Sequence, residues 1–142
     1  MVKNLQINYS GRLDFNKRII HSIVGYLKNE LNFCINAVSV NFISSSEITY
    51  LNIKYLNHHY STDIITFNYS GNNYELDGEI FISVDDCRNN ASVFGVKFNE
   101  EMARLLIHGF LHLIGYNDKN KSDKKKMFEL QENLLNNCKF AL

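Results

Sequence analysis

Proline and tryptophan are both absent from this 142-residue chain, and 15 basic residues balance 15 acidic ones to a net charge of zero. Each lack excludes something. Without proline there is no stiff, proline-rich linker. Without a net positive charge there is no general signature of nucleic-acid binding, although a local basic patch remains open. Cysteine is scarce: Cys34, Cys87 and Cys138 are odd in number and form no CxxC pair. A disulfide framework is therefore not expected; buried, reduced thiols in a cytoplasmic protein are. The opening MVKNLQINYSGRL is too polar for a secretory leader or a membrane span, so no membrane association is expected either.

What is present suffices for one real core, since 45% of the residues are hydrophobic. Residues 5–10 alternate apolar and polar, as a half-buried strand does. Asp14 is a candidate N-cap for a helix whose apolar positions are Phe15, Ile19, Ile20, Ile23, Val24, Leu27 and Leu31. Strands are expected at 37–44, 63–70 and 79–84, with the last two antiparallel neighbours across a turn-rich GNNYELDG connection. A short helix capped by Ser46 is expected at 47–57, and another from Asp85 to about Gly95. Asn99 would cap the next helix, with Glu100 and Glu101 in its first turn. A last helix covers roughly 122–137, with Met127, Leu130, Leu134 and Leu135 facing inward. The order β-α-β-α-β-β-α-α-α predicts an α+β fold: a mixed four-stranded sheet packed with helices, in a single domain spanning 1–142.

The stretch HGFLHLIGYND (108–118) carries the chemistry. His108 and His112 share one helix face, so two imidazoles can meet at one point. Gly115 can take positive φ and end the helix, letting Asp118 return to the same point. H-x-x-x-H-x-x-G-x-x-ligand is the spacing of metzincin metal sites, with Asp118 in the third position. Three ligands leave a fourth metal position open, which marks a catalytic rather than a structural site, and zinc is the expected ion. The bland alternative is a pair of satisfied core histidines. A metallopeptidase is disfavoured because Gly109 stands where H-E-x-x-H enzymes carry their general base.

These residues resemble the YbeY family of bacterial endoribonucleases, whose signature is H-G-x-L-H-L-x-G-Y-D-H. This chain departs from it at Asn117 and Asp118. LNIKYLNHHYSTDIITF (51–67) is similar to the family's L-N-x-x-Y-R-x-x-D-x-x-T-D-V-L-S-F, matching at Leu51, Asn52, Tyr55, Thr62, Asp63 and Phe67. The family's arginine falls on Leu56 and its aspartate on His59. DGEIFIS (77–83) is similar to the family's G-D-I-x-I-S strand, with Glu79 at the acidic place.

The resemblance implies a zinc cleft on a zincin-like helix and hydrolysis of single-stranded RNA. It further implies a role in maturing the 3′ end of small-subunit ribosomal RNA and in ribosome quality control. Ribosomal particles and assembly GTPases are the implied partners. Asp63 and His59 are candidates for proton transfer or for steadying the phosphate, with His58 and Lys54 as further candidates. Lys54, Arg88, Lys97, Lys119 and Lys121 are candidates for RNA contact. The rival from another class is a non-catalytic ribosome assembly factor that keeps its zinc for folding, to which Leu56 in the arginine's place lends weight.

Overall fold

A computed structural model describes residues 1–11, 16–58 and 62–142. Its sheet is built from β1 (Leu5–Tyr9), β2 (Cys34–Ile43), β3 (Ile64–Asn68) and β4 (Glu75–Ser83), in the spatial order β1-β2-β4-β3. β1, β2 and β4 run parallel, and the edge strand β3 pairs antiparallel with β4, as expected of the last two strands. β4 begins four residues before the expected Glu79. Parallel pairing with β2, from Cys34 opposite Glu75 onward, turns part of the supposed connector into strand.

Helix α1 (Lys17–Leu31) links the parallel strands β1 and β2. Its first turn is capped by Asn16, whose side chain accepts from the Arg18 amide at 2.9 Å. The expected cap Asp14 and the apolar Phe15 lie outside the described residues. Ile20, Ile23, Val24 and Leu27 are buried, as the periodicity predicts. Helix α2 (Ser45–Leu56) is capped by Ser44, not Ser46. Ser44 and Glu47 form a reciprocal capping box, which needs a spacing of three that Ser46 cannot supply.

Helices α3 (Val84–Phe94), α4 (Phe98–Leu113) and α5 (Lys121–Asn137) follow, with a short 3₁₀ turn at Lys139–Ala141. α4 starts after Lys97, with no side-chain cap, rather than at Asn99. Glu101 consequently points inward, and it is 2% exposed. The C-terminal end of α5 carries Leu134 and Leu135 into the core, with Met127 two turns earlier.

Most buried apolar side chains of the strands, α1, α4 and α5 form one cluster on one face of the sheet. Ile48 of α2 and Ile65 of β3 are buried apart from it, in keeping with α2 packing on β3 and β4 from the other side. Cys87 and Cys138 are buried, and burial pushes the Cys87 thiol up to about 12. Cys34, expected inside, is exposed, because the strand's alternation sends its neighbour Ile35 inward instead.

One glycine sets how α4 lies on the sheet. A Cβ on Gly109 would meet Ile64 Cδ1 and two carbons of Ile80, each at 3.1 Å. Helix and sheet approach closely there, as the sequence suggested, and an added methyl would cost about 1–3 kcal/mol of overpacking. The Asn68 side chain of the edge strand donates to the Leu113 carbonyl at 3.1 Å, fixing the C-terminal end of α4 against β3.

Candidate metal centre

α4 ends where its chemistry begins. Gly115 adopts φ +106°, and the Tyr116 amide closes back on the Leu111 carbonyl at 3.0 Å. The turn brings Asp118 over the helix end. Its Oδ2 lies 4.0 Å from His108 Nε2 and 3.8 Å from His112 Nε2, and the two Nε2 atoms are 3.1 Å apart. The three side chains form the cluster of potential metal ligands found among the described residues.

The hydrogen bonds around the rings say which nitrogens face inward. His112 Nδ1 lies 3.1 Å from the Tyr116 carbonyl, which can only accept, so Nδ1 carries the proton. His108 Nδ1 lies 2.7 Å from Gln131 Oε1. Gln131 Nε2 in turn donates to the Glu132 carboxylate at 3.2 Å, so the amide must turn its oxygen to the imidazole. Both Nε2 lone pairs then point at each other and at a carboxylate oxygen. A cation between them resolves this arrangement; bonds of 2.0–2.1 Å in a tetrahedron put ligand atoms about 3.3 Å apart. Burial, together with neighbouring His108, holds the His112 imidazole below its ordinary value, against the opposing pull of Asp118 and the Tyr116 carbonyl. His112 is therefore neutral at pH 7 and able to coordinate. The donor set of two imidazoles and one carboxylate fits zinc, and its three members leave a fourth position open.

The cluster borders a hollow of about 350 Å³. Its opposite wall comes from α2, the segment leading into β3 and β3 itself: Asn52, Leu56, His58, Thr62, Asp63 and Thr66. Leu56, in the place of the family's arginine, thus faces the cleft. Asp63 is in the cleft and is also anchored. Its Oδ2 accepts from Asn90 at 3.2 Å and its carbonyl from the Ser83 amide at 2.9 Å. His59 lies outside the described residues.

A polar chain joins the two walls behind the cluster. From Gln131 it passes through Glu132 to Arg104, which grips that carboxylate through Nε at 3.0 Å and Nη2 at 3.2 Å. Arg104 Nη1 donates to Glu101 at 2.6 Å, and Asn90 donates to both Glu101 and Asp63. Burial raises the Glu101 carboxyl above its usual range, with Arg104 and Asn90 opposing.

Gln131 is the residue that sequence reading missed. It is a polar residue four positions after Met127 on the inward stripe of α5, and that misplacement was the available signal.

The candidate RNA contacts divide. Lys119 follows Asp118, and Lys121 lines a second hollow, on the α5 side of His108. Lys54 stands on the outside of α2, over the rings of Tyr50 and Tyr55. Lys97 sits at the opposite end of α4, about 16 Å along the axis from His108 at 1.5 Å per residue. Arg88 packs over Phe98 at that same end. The structure does not bring these last two to the cleft. Glu79 lies within β4, accepting from Tyr69 at 3.0 Å, as a structural acid.

A four-stranded mixed sheet, with a histidine pair on a packed helix and a carboxylate returned by a glycine turn, defines a class of small α+β proteins with an open candidate metal site. A family model described as "Endoribonuclease YbeY" matches residues 3–139, and the chain belongs to that family. A relative named "Endoribonuclease YbeY" from Parabacteroides distasonis is 44% identical over 98 residues, 69% of this chain and 68% of its own length. Another of that name, from Chlorobium limicola, is 35% identical over 132 residues, 93% of this chain and 91% of its own. The solution structure of TM1509 from Thermotoga maritima shares the fold with a TM-score of 0.67 and 26% identity, covering 94% of this chain and 88% of that one.

Proposed function

We propose that this protein is a zinc-dependent endoribonuclease that cuts single-stranded RNA. The substrate would be the precursor of small-subunit ribosomal RNA, on ribosomal particles and with assembly GTPases as partners, in the cytoplasm and in the service of ribosome quality control. The observation that carries the reading is the convergence of His108 Nε2, His112 Nε2 and Asp118 Oδ2, bare toward one another in a cleft, in a chain of the YbeY family. Among the described residues no helix is long and apolar enough to cross a membrane.

A zinc ion held by these three residues would polarise a phosphate oxygen and lower the pKa of a bound water. The chain supplies the rest. Gln131 and the Tyr116 carbonyl hold both imidazoles in the tautomer that presents Nε2. Asp63, fixed by Asn90 in the facing wall, would take or return a proton, and His59 is the second candidate for that task. Lys119 and Lys121 bring positive charge to the α5 side, and Lys54 adds it on the outer flank of α2. Peptide hydrolysis lacks support: Gly109 is pressed against Ile64 and Ile80, with no carboxylate beside the first histidine.

One observation favours the assembly-factor reading, in which the metal serves folding alone. Leu56 puts an apolar side chain into the cleft where the family resemblance calls for a cation.

The test pairs metal content with cleavage, for wild type and Asp118→Ala. The nuclease reading expects about one zinc per chain and cutting of a labelled single-stranded RNA by wild type. The variant should lose its metal and at least about 100-fold in rate, the scale of a lost metal-bound nucleophile. Wild type that holds zinc but leaves RNA intact, even with ribosomal particles added, would hand the case to the assembly factor.

A further inference from the structure

His108 and Asp118 border a second hollow, on the side away from α2. It measures about 400 Å³ and is lined otherwise by Lys121, Lys124, Lys125, Met127, Phe128 and Gln131 of α5. Lys121, Lys124, Lys125 and Phe128 fall at i, i+3, i+4 and i+7, which is one face of a helix. The same face continues to Gln131, the hydrogen-bond partner of His108. Met127 is buried beneath it at 1% exposure, whereas the Phe128 ring is 57% exposed. One helix face therefore presents three ammonium groups, then an open aromatic ring, then the residue that orients a candidate metal ligand.

A lone exposed phenylalanine needs no explanation. This one differs in its neighbours. Its ring opens into a hollow that shares two of the three cluster residues, so a chain whose phosphate sits at the cluster must pass either here or along the α2 wall. A protein partner would be served by the apolar floor but not by a cationic rim. A free anion would be served by the rim but not by the ring. A nucleotide uses both, since its base offers a π-face and its backbone offers negative charge.

We infer that this hollow seats the nucleotide next to the scissile phosphate of a single-stranded RNA. The base stacks on Phe128, and the backbone is held by Lys121 and Lys124. Lys125, which also meets Glu129 at 4.0 Å, contributes less. The seat is tolerant of sequence, because stacking reads a ring face rather than base edges. The inference rests on the endoribonuclease reading and adds to it a binding subsite and the residue that forms it.

The test is single-turnover cleavage of a labelled single-stranded RNA over a range of concentrations of the zinc-loaded protein. It compares wild type, Phe128→Ala, Phe128→Leu and Phe128→Trp, with bound zinc and thermal unfolding measured on each. Phe128→Ala should raise the half-saturating concentration about 5- to 100-fold, the span of one lost stacking contact. The loss should be concentrated there rather than in the saturated rate. Phe128→Trp should restore binding and Phe128→Leu should not, because leucine keeps the apolar volume without the π-face. An unchanged half-saturating concentration in Phe128→Ala overturns the seat, as does full rescue by leucine. Loss of zinc or of the saturated rate alone overturns it too, by showing that Phe128 acts through the cluster. Failure of wild type to cut or bind any RNA defeats the endoribonuclease reading itself, whereas cutting by wild type with an indifferent Phe128→Ala defeats the seat alone.

Discussion

The two walls of the cleft are built on different plans. The α4 wall carries two imidazoles and a carboxylate returned by the turn after the helix, and three lysines of α5 stand behind it around the second hollow. Its buried polar atoms are paired down to the tautomer of each ring. The α2–β3 wall carries an apolar Leu56, a histidine, an asparagine, two threonines and a carboxylate already committed to Asn90. One wall gathers groups that could hold a metal, with positive charge on its far side. The other is equipped to be rigid, with little charge to offer a phosphate. The difference teaches that the candidate metal ligands and the facing wall are built on separate elements, so that one can be altered with the other left intact.

The largest break in that comparison, after removal of a ligand, should come from Gln131→Leu. It removes the acceptor on His108 Nδ1 and leaves Glu132 without its amide donor. Zinc affinity, read by competition with a chromophoric chelator, should fall about 10- to 100-fold. Gln131→Glu keeps an acceptor at that place and should retain affinity. Equal affinities for leucine and glutamine would remove Gln131 from the site.

Leu56→Arg sharpens the comparison from the other wall. A guanidinium in the cleft should speed RNA cleavage about tenfold, the worth of one hydrogen bond to a charged group, with zinc content unchanged. No gain would mean that the cleft does not bring the substrate's phosphate to α2.

A smaller effect separates near from far lysines. Lys121→Ala should weaken RNA binding several-fold and reduce the slope of log affinity against log salt by about 0.7. Lys97→Ala, at the opposite end of α4, should leave both where they were.

The smallest effect is on acid stability. Burial works to raise the Glu132 carboxyl, but hydrogen bonds from Arg104 and Gln131 win and hold it below its ordinary 4.5. A depressed carboxyl means that the unfolded chain binds the proton first. Its contribution to stability is therefore present above about pH 4.5 and is lost as pH falls through the lower folded value. Glu132→Gln should be less stable at pH 7 and should lose stability less steeply on acidification, as measured by urea unfolding from pH 7 to 3.

Local rules made much of the site legible beforehand. The spacing of His108, His112, Gly115 and Asp118 is a statement about one helix and one turn, and the structure assembles those residues as that spacing requires. The Ser44–Glu47 capping box is equally local and equally legible, since serine and glutamate stand three apart there and Ser46 has no such partner. The extent of β4 was not legible, because Glu75 and Leu76 become strand by pairing with Cys34 and Ile35, forty residues away in sequence.

By itself the sequence determined the ligand platform, the helical faces and the antiparallel β3–β4 pair. Each of these depends on backbone periodicity, on a glycine's freedom at positive φ or on a short connection, within about twenty residues. Tertiary structure decided what stands around the platform. It brought Gln131 from α5 to His108, set Asp63 and Leu56 across the cleft, and left Lys97 and Arg88 at the far end of α4. Those placements follow from how helices pack on a sheet, where distance along the chain no longer measures distance in space.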